Sequence, residues 1–199
     1  MKKIILNLTL LATISVADGN IVPVSTTTPS TEIAEENGIY VGLAFGNIFV
    51  NDDYTDEEIS SNALVLQIGY QYNKYIAFEG RYNFGLNTSY KPGSTGNIID
   101  DYNDDVSSWG TYIKPMYPIG NFTLYALLGY GGLMLKNLEK GDAYESAFQW
   151  GLGAKYNLSE NLSLFADYIF LYNDTGFDYR AQLDDIDSDI WTLGVSYKF

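Results

Sequence analysis

The sequence predicts an all-β fold: one eight-stranded antiparallel transmembrane β-barrel of the up-and-down type. Three observations carry this. Period-2 alternation of bulky apolar with small or polar residues recurs in segment after segment between Gly38 and Phe199. The connections alternate between tight turns and long polar loops. Aromatic residues make up 16% of the chain, with 18 Tyr, yet the mean hydropathy is only -0.09. Strands that show lipid only their alternate residues combine those two figures; a bundle of membrane helices or a disordered chain does not.

The chain opens on a predicted secretory signal peptide, residues 1–17. Lys2 and Lys3 form its basic region, Ile4 to Val16 its short apolar stretch, and Ser15-Val16-Ala17 a small-residue cleavage pattern before Asp18. The stretch is too short for a spanning helix and is interrupted by Asn7, Thr9, Thr13 and Ser15. Residues 18–37, with Thr26, Thr27, Thr28, Pro29, Ser30 and Thr31, read as a flexible lead-in. The barrel occupies 38–199, and at 199 residues the whole chain suits one domain with a tail.

Eight strands are predicted, at about 38–49, 61–72, 75–87, 107–118, 122–135, 145–157, 162–173 and 187–199. Each is near the ~9–11 residues that a tilted strand needs to cross a bilayer. In the second, Leu64, Leu66, Ile68, Tyr70 and Tyr72 oppose Ala63, Val65, Gln67, Gly69 and Gln71. In the third, Ile76, Phe78, Tyr82, Phe84 and Leu86 oppose Ala77, Glu79, Arg81, Asn83 and Gly85. The sixth sets Phe148, Trp150, Leu152 and Tyr156 against Gln149, Gly151, Gly153 and Lys155. The last sets Trp191, Leu193, Val195, Tyr197 and Phe199 against Thr192, Gly194, Ser196 and Lys198. Pro115 and Pro118 interrupt the fourth strand, and Gly129, Gly131 and Gly132 the fifth. Tight turns are expected at Asn73-Lys74, Gly120-Asn121 and Ser159-Glu160-Asn161, and acidic loops at 50–60, 88–106, 136–144 and 174–186.

Volume decides which face meets lipid. An eight-stranded barrel has an interior just wide enough for side chains to fill it. The Leu, Phe, Tyr and Trp set would overfill that space, whereas the set rich in Gly, Ala, Ser and Gln fits. The apolar set therefore faces outward. A soluble barrel holding a ligand would turn it inward. Tyr40, Tyr72, Tyr117, Tyr156, Tyr172, Trp109, Trp191 and Tyr197 lie near strand ends and read as two aromatic girdles at headgroup level.

A signal peptide, eight amphipathic strands and the closing strand WTLGVSYKF resemble the small outer-membrane barrels: the OmpA-like transmembrane domain, OmpX and opacity-type proteins. The resemblance covers roughly 38–199 and implies a place in the bacterial cell outer membrane, with lipid and lipopolysaccharide around the barrel. It also implies that Val195, Tyr197 and Phe199 are part of a C-terminal signal read by the barrel assembly machinery. Unlike full-length OmpA-like proteins, this sequence has no room for a periplasmic wall-binding domain. A monomer is the expectation for a closed barrel with no unpaired edge.

The inward set carries Glu79, Arg81, Lys114, Lys155, Asp167 and Lys198. Glu79 and Lys114 fall at similar heights on neighbouring strands, and Arg81 and Asp167 extend a network that charges in a narrow lumen require. Such a network either gates a polar conduit or plugs the barrel by mutual satisfaction. Asp101-Tyr102-Asn103-Asp104-Asp105 and Asp185-Ile186-Asp187-Ser188-Asp189 alternate oxygen ligands as calcium loops do, without the Gly or distal Glu of an EF-hand. They read as solvated acidic loops, and neither a metal nor any other cofactor is expected. His and Cys are absent, which removes the usual general base and nucleophile, and the small barrel enzymes that act on lipid A rely on a His with Ser. A net charge of -14, or -16 once Lys2 and Lys3 leave with the signal peptide, argues against nucleic acid. The function expected is a non-enzymatic barrel that supports envelope integrity and presents acidic loops to surface partners. Its rival is a narrow pore for ions or small solutes.

Overall fold

The computed structural model describes residues 37–52, 57–91, 93, 99–102, 105–136, 142–175 and 185–199. The predicted signal peptide and all of the lead-in before Asn37 lie outside the described residues, as do the tips of the long loops.

The described strands are β1 (Gly38–Asp52), β2 (Glu57–Asn73), β3 (Ile76–Lys91), β4 (Ile99–Tyr102), β5 (Asp105–Ile119), β6 (Phe122–Lys136), β7 (Ala143–Asn157), β8 (Leu162–Thr175) and β9 (Asp185–Lys198). All pairings are antiparallel. The sheet runs β2-β1-β9-β8-β7-β6-β5-β3, and β2 also pairs with β3, so eight strands close into a barrel. The four-residue β4 stands outside that ring, paired to the far end of β3 at Tyr90↔Ile99 and Thr88↔Tyr102. No helix of the described residues is long and apolar enough to cross a membrane.

The eight barrel strands are each 14–17 residues long, longer than the ~9–11 that a bilayer requires. The excess lies at the long-loop end. The β1–β2 ladder, for instance, runs on to Asp52↔Glu57, where the sequence predicts a loop over 50–60. Apolar alternation stops once the outward positions leave lipid, but the ladder is made by backbone groups and needs no apolar side chain. Asn47, Asn62 and Ser60 mark the change: the Asn47 Nδ2 donates to Asn62 Oδ1 at 3.2 Å, and the Ser60 hydroxyl donates to Asn47 Oδ1 at 2.9 Å. The same extension carries Asp185–Asp189 into β9. Alternate strand residues stand ~6.6 Å apart, so this segment is extended strand and not the compact turn of an EF-hand loop. Asp101 lies in β4 and Asp105 opens β5, while 103–104 fall outside the described residues.

The three tight turns close the opposite end. At the first, the turn is Lys74-Tyr75, one residue later than predicted. Asn73 Oδ1 accepts the backbone N–H groups of Tyr75 (2.7 Å) and Ile76 (2.9 Å), an Asx turn that ends β2 at Asn73 itself. Gly120 takes φ +61° in the second, a backbone state that glycine enters freely. In the third, Ser159 Oγ accepts the Leu162 N–H at 3.1 Å. The doubtful residues of the fourth and fifth predicted strands lie within β5 and β6, although the β5–β6 pairing skips 114–115. Pro115 lacks an N–H and pairs with Ile76, while the next residue, Met116, donates its N–H to the Tyr75 carbonyl at 2.7 Å.

The bulky set faces outward in every strand: Ile68 is 61% exposed, Phe148 63% and Leu193 59%. Each glycine and polar partner named for the inner faces lies on the lumen side. Two girdle expectations fail. Tyr40 is buried, because Ile39 and Val41 take the outward positions of β1 and alternation turns Tyr40 in. Tyr172 is buried because a bulge in the β8–β9 ladder between Phe170 and Tyr172 shifts the phase of the strand. Tyr72, Tyr117, Tyr156, Trp191 and Tyr197 are exposed as expected.

The lumen also holds more large apolar groups than the volume argument allows. Ile48, Leu127, Leu133, Ile169, Leu171 and Ile190 are fully buried. All but Leu127, which sits one inward step beyond Tyr125, belong to the half of the barrel nearer the long loops, where inward glycines and alanines of neighbouring strands leave them room. The charged groups thus gather toward the short turns, while toward the long loops aliphatic side chains share the lumen with neutral polar pairs such as Asn83–Ser108 (2.7 Å) and Thr88–Ser61 (3.2 Å).

Candidate functional site

The polar layer is built from alternate inward positions. On β3 these include Glu79 and Arg81. The register Ala77↔Lys114 and Glu79↔Tyr112 brings Lys114 of β5 beside Glu79. The register Asp167↔Thr192 sets Thr192 of β9 beside Asp167 of β8. β3 and β8 are the third and seventh barrel strands in chain order, and so stand opposite one another across the lumen.

Arg81 bridges that gap. Its Nη1 and Nη2 donate to Asp167 Oδ1 (2.9 Å) and Oδ2 (2.7 Å), a bidentate pair, while its Nε donates to Glu79 Oε1 at 2.6 Å. Lys114 Nζ donates to Glu79 Oε2 at 2.8 Å. Tyr125 donates its hydroxyl to Asp167 Oδ2 at 2.7 Å, Thr192 donates to Asp167 Oδ1, and Tyr40 donates to Glu79 Oε2. Two cations meet two carboxylates, and the carboxylates take further hydroxyl donors. Charges withdrawn from water persist only when paired and hydrogen-bonded in this way. The side chains of Arg81, Glu79 and Asp167 have no solvent exposure, and Lys114 has 6%. Lys114 Nζ also lies 4.0 Å from the centre of the Tyr125 ring.

Four of the six inward charges expected from sequence therefore meet. The fifth, Lys155, stands one step nearer the short turns: it pairs with Thr123 and Phe165, below the Tyr125↔Gly153↔Asp167 row. Together with Lys198 it lines a mouth of about 440 Å³ at the short-turn end, beneath Lys114, Tyr40 and Tyr125. Val195, Tyr197 and Phe199, expected from the resemblance to form an assembly signal, are all exposed, Phe199 at 72%. Sequence reasoning missed Tyr40, Tyr125 and Thr192 as members of the network. Parity held the signal, since each lies between outward apolar neighbours: Ile39 and Val41, Leu124 and Ala126, Trp191 and Leu193.

Room for the tyrosines comes from glycine. A Cβ at Gly69 would strike the Tyr40 ring, and one at Gly153 would strike the Tyr125 ring and Asp167. Gly69→Leu is expected to displace Tyr40 from Glu79 and to cost about 1–3 kcal/mol of stability, the usual cost of overpacking. Urea unfolding in detergent checks this, and Tyr40→Ala in the same chain should recover part of the loss. A Gly69→Leu protein as stable as the parent would show that the lumen yields more readily than this packing allows.

Such a constellation ties β1, β3, β5, β6, β8 and β9 to one another through the lumen. Among the described residues no group of His, Asp or Glu is placed to hold a metal ion.

Solved structures share this fold. AlkL, an outer membrane protein studied in DMPC bilayers, is 16% identical and matches over 92% of this chain and 97% of its own, at a TM-score of 0.57. Ail, the attachment invasion locus protein of Yersinia pestis, solved with the heparin analogue sucrose octasulfate, is 20% identical. The match covers 82% of this chain and 99% of Ail, at a TM-score of 0.54. Neisserial surface protein A is 19% identical over 81% of this chain and 97% of its own, also at 0.54. A search of curated protein sequences finds no match. The model of the outer membrane protein β-barrel domain matches residues 10–199, a span that takes in every strand described, and the chain therefore belongs to that family of bacterial outer-membrane barrels.

Proposed function

We propose that this protein is a plugged, non-enzymatic barrel that supports the integrity of the outer membrane and offers an acidic outer rim to surface partners. The observation that carries the reading is the Arg81–Asp167 pair, which spans the lumen and lies below a layer of fully buried aliphatic side chains. An ion on the barrel axis would have to break a bidentate ion pair and then pass the fully buried side chains of Ile48, Leu127, Ile169 and Ile190, and each step is costly. The strands extend past the apolar belt at the long-loop end, which outer-membrane barrels turn outward. Glu58, which pairs with Lys91 at 4.0 Å, Asp105 and Asp187 lie in those extensions. Ail was solved with a polyanionic sugar analogue; an acidic rim suits cationic partners instead.

The resident partners in this reading are outer-membrane lipid and lipopolysaccharide, with the assembly machinery reading Val195, Tyr197 and Phe199 during insertion. Closure of the ladder supports a monomer. Planar-bilayer recording tests the plug. The purified protein is expected to give no steady single-channel steps, and Glu79→Gln should remain silent because the aliphatic layer stays in place. Regular steps that change with Glu79→Gln would instead establish the narrow pore, with Glu79, Arg81 and Lys114 at its constriction.

A further inference from the structure

Asp189 stands apart from the other acids of the long-loop end. The outward row of β9 runs Asp187, Asp189, Trp191 and Leu193, so Asp189 belongs to the outer wall and not to the lumen. It is nevertheless only 8% exposed. Its register partners are Phe49 on β1 and Phe170 on β8, both in outward rows, and Trp191 follows on its own strand. The Phe170 ring is held in turn, stacked on Trp150 at 4.4 Å and edge-on to Tyr168 at 5.2 Å. A carboxyl group thus sits between aromatic side chains on the outer wall of the barrel.

A second observation concerns its hydrogen bonds. The Tyr168 hydroxyl donates to the Asp189 carboxylate, but Asp189 Oδ1 is buried without a hydrogen-bond partner. Asp187, next along the row, is engaged by Asn51 Nδ2 at 3.2 Å. A charge withdrawn from water needs a counter-charge and hydrogen-bond donors. Among the described residues no Lys or Arg pairs with Asp189.

Its height names what it meets. Trp191 pairs with Asn47, where polar residues take over the outward row of β1, so Asp189 lies one outward step above the apolar belt. In the outer-membrane orientation that is the headgroup level of the outer leaflet. Aromatic rings attract an organic cation, and an unpartnered carboxylate oxygen accepts an N–H from it. Among the described residues no third acid completes a set for a metal ion.

We propose that Asp189, flanked by Phe49, Phe170 and Trp191, binds the primary ammonium group of a lipid headgroup in the outer leaflet. The ammonium donates to Oδ1, which a side-chain rotation on the outer wall uncovers, and the acyl chains follow the outward apolar rows of β8 and β9. The assignment depends on placement in the outer membrane and not on the plug.

Native mass spectrometry of the whole protein in detergent micelles tests this with three dioleoyl lipids that differ only in headgroup. Phosphatidylethanolamine carries a primary ammonium, phosphatidylcholine a cation without an N–H, and phosphatidylglycerol no cation. A one-lipid adduct with phosphatidylethanolamine is expected, at least about fivefold more abundant than with either of the others. Asp189→Asn should reduce this preference to parity, with heat-modifiable migration on gels showing that the variant is folded. Tyr168→Phe removes a competing donor and should leave the preference intact. Equal adducts with all three lipids in the parent protein would overturn the proposal, and so would a preference that survives Asp189→Asn. A phosphatidylcholine adduct as abundant as that of phosphatidylethanolamine would assign selection to the rings alone and overturn the role of Oδ1. A preference lost in Tyr168→Phe would make the phenol the selecting group, with the same consequence.

Discussion

Arg81→Ala is expected to be the most damaging single substitution in the lumen, with a loss of about 3–5 kcal/mol, the range for breaking a buried ion pair from one side. Arg81 is the donor that Glu79 and Asp167 share, through Nε and through both terminal nitrogens. Without it, Asp167 retains only the hydroxyls of Tyr125 and Thr192, and Glu79 keeps Lys114 and Tyr40. A buried carboxylate facing hydroxyls alone is poorly compensated, so the larger part of the cost falls on Asp167. Two companion variants separate the charge effect from the volume effect. Arg81→Met keeps most of the volume and should be nearly as damaging. Arg81→Met with Asp167→Leu removes both partners and should be milder than Arg81→Met alone, because no unpaired carboxylate is left opposite. Equilibrium urea unfolding into lipid vesicles, followed by Trp fluorescence, measures all three. A loss for Arg81→Ala below about 1 kcal/mol, the scale of exposed pairs, would mean that water reaches Asp167 and that the lumen is not sealed at this layer.

Ile68→Arg is expected to cost about 2–4 kcal/mol, the cost of an arginine on the lipid face at the bilayer midplane. Ile68 is 61% exposed and stands at the centre of the outward row Leu64, Leu66, Ile68, Tyr70 and Tyr72 of β2. In water, a charge at so exposed a position would be harmless; the penalty exists only because lipid surrounds it. Asn62→Arg, on the same strand and the same outward face but above the apolar belt, should cost no more than about 1 kcal/mol. The contrast therefore reads the height of the belt. Electrophoresis with and without boiling gives the folded fraction of each variant after insertion into vesicles. Equal folded fractions for Ile68→Arg and the parent would contradict a lipid-facing Ile68, and a penalty for Asn62→Arg as large as that for Ile68→Arg would place the belt edge higher on β2.

How far the sequence carries depends on how local the governing physics is. Alternation is local: a residue's face follows from its neighbours two positions away, so eight strands, three tight turns and the outward apolar set were legible. The pairing of Glu79 with Lys114 was legible as well, because a short turn sets the heights of adjacent strands, and here two such offsets place them together. Tyr40 is legible from parity, between the outward Ile39 and Val41, although its ring chemistry and its place near a strand end point to the girdle. Tyr172 could not, since the bulge that turns it inward shows only in the β8–β9 ladder.

The rest is non-local. That Arg81 reaches Asp167 depends on β3 and β8 facing one another, which follows from the number of strands in the closed ring and the tilt of each, not from any spacing along the chain. The aliphatic layer above the network depends on which inward glycines of one strand stand opposite the large side chains of the next. The extension of the ladders past the lipid belt rests on backbone hydrogen bonds that leave no trace in side-chain polarity. Residue chemistry and a period of two settle which elements form and which face of each meets lipid, because both act over a few residues. Closure of the ring settles what the inward faces do together, because a lumen exists only once the first strand has paired with the last.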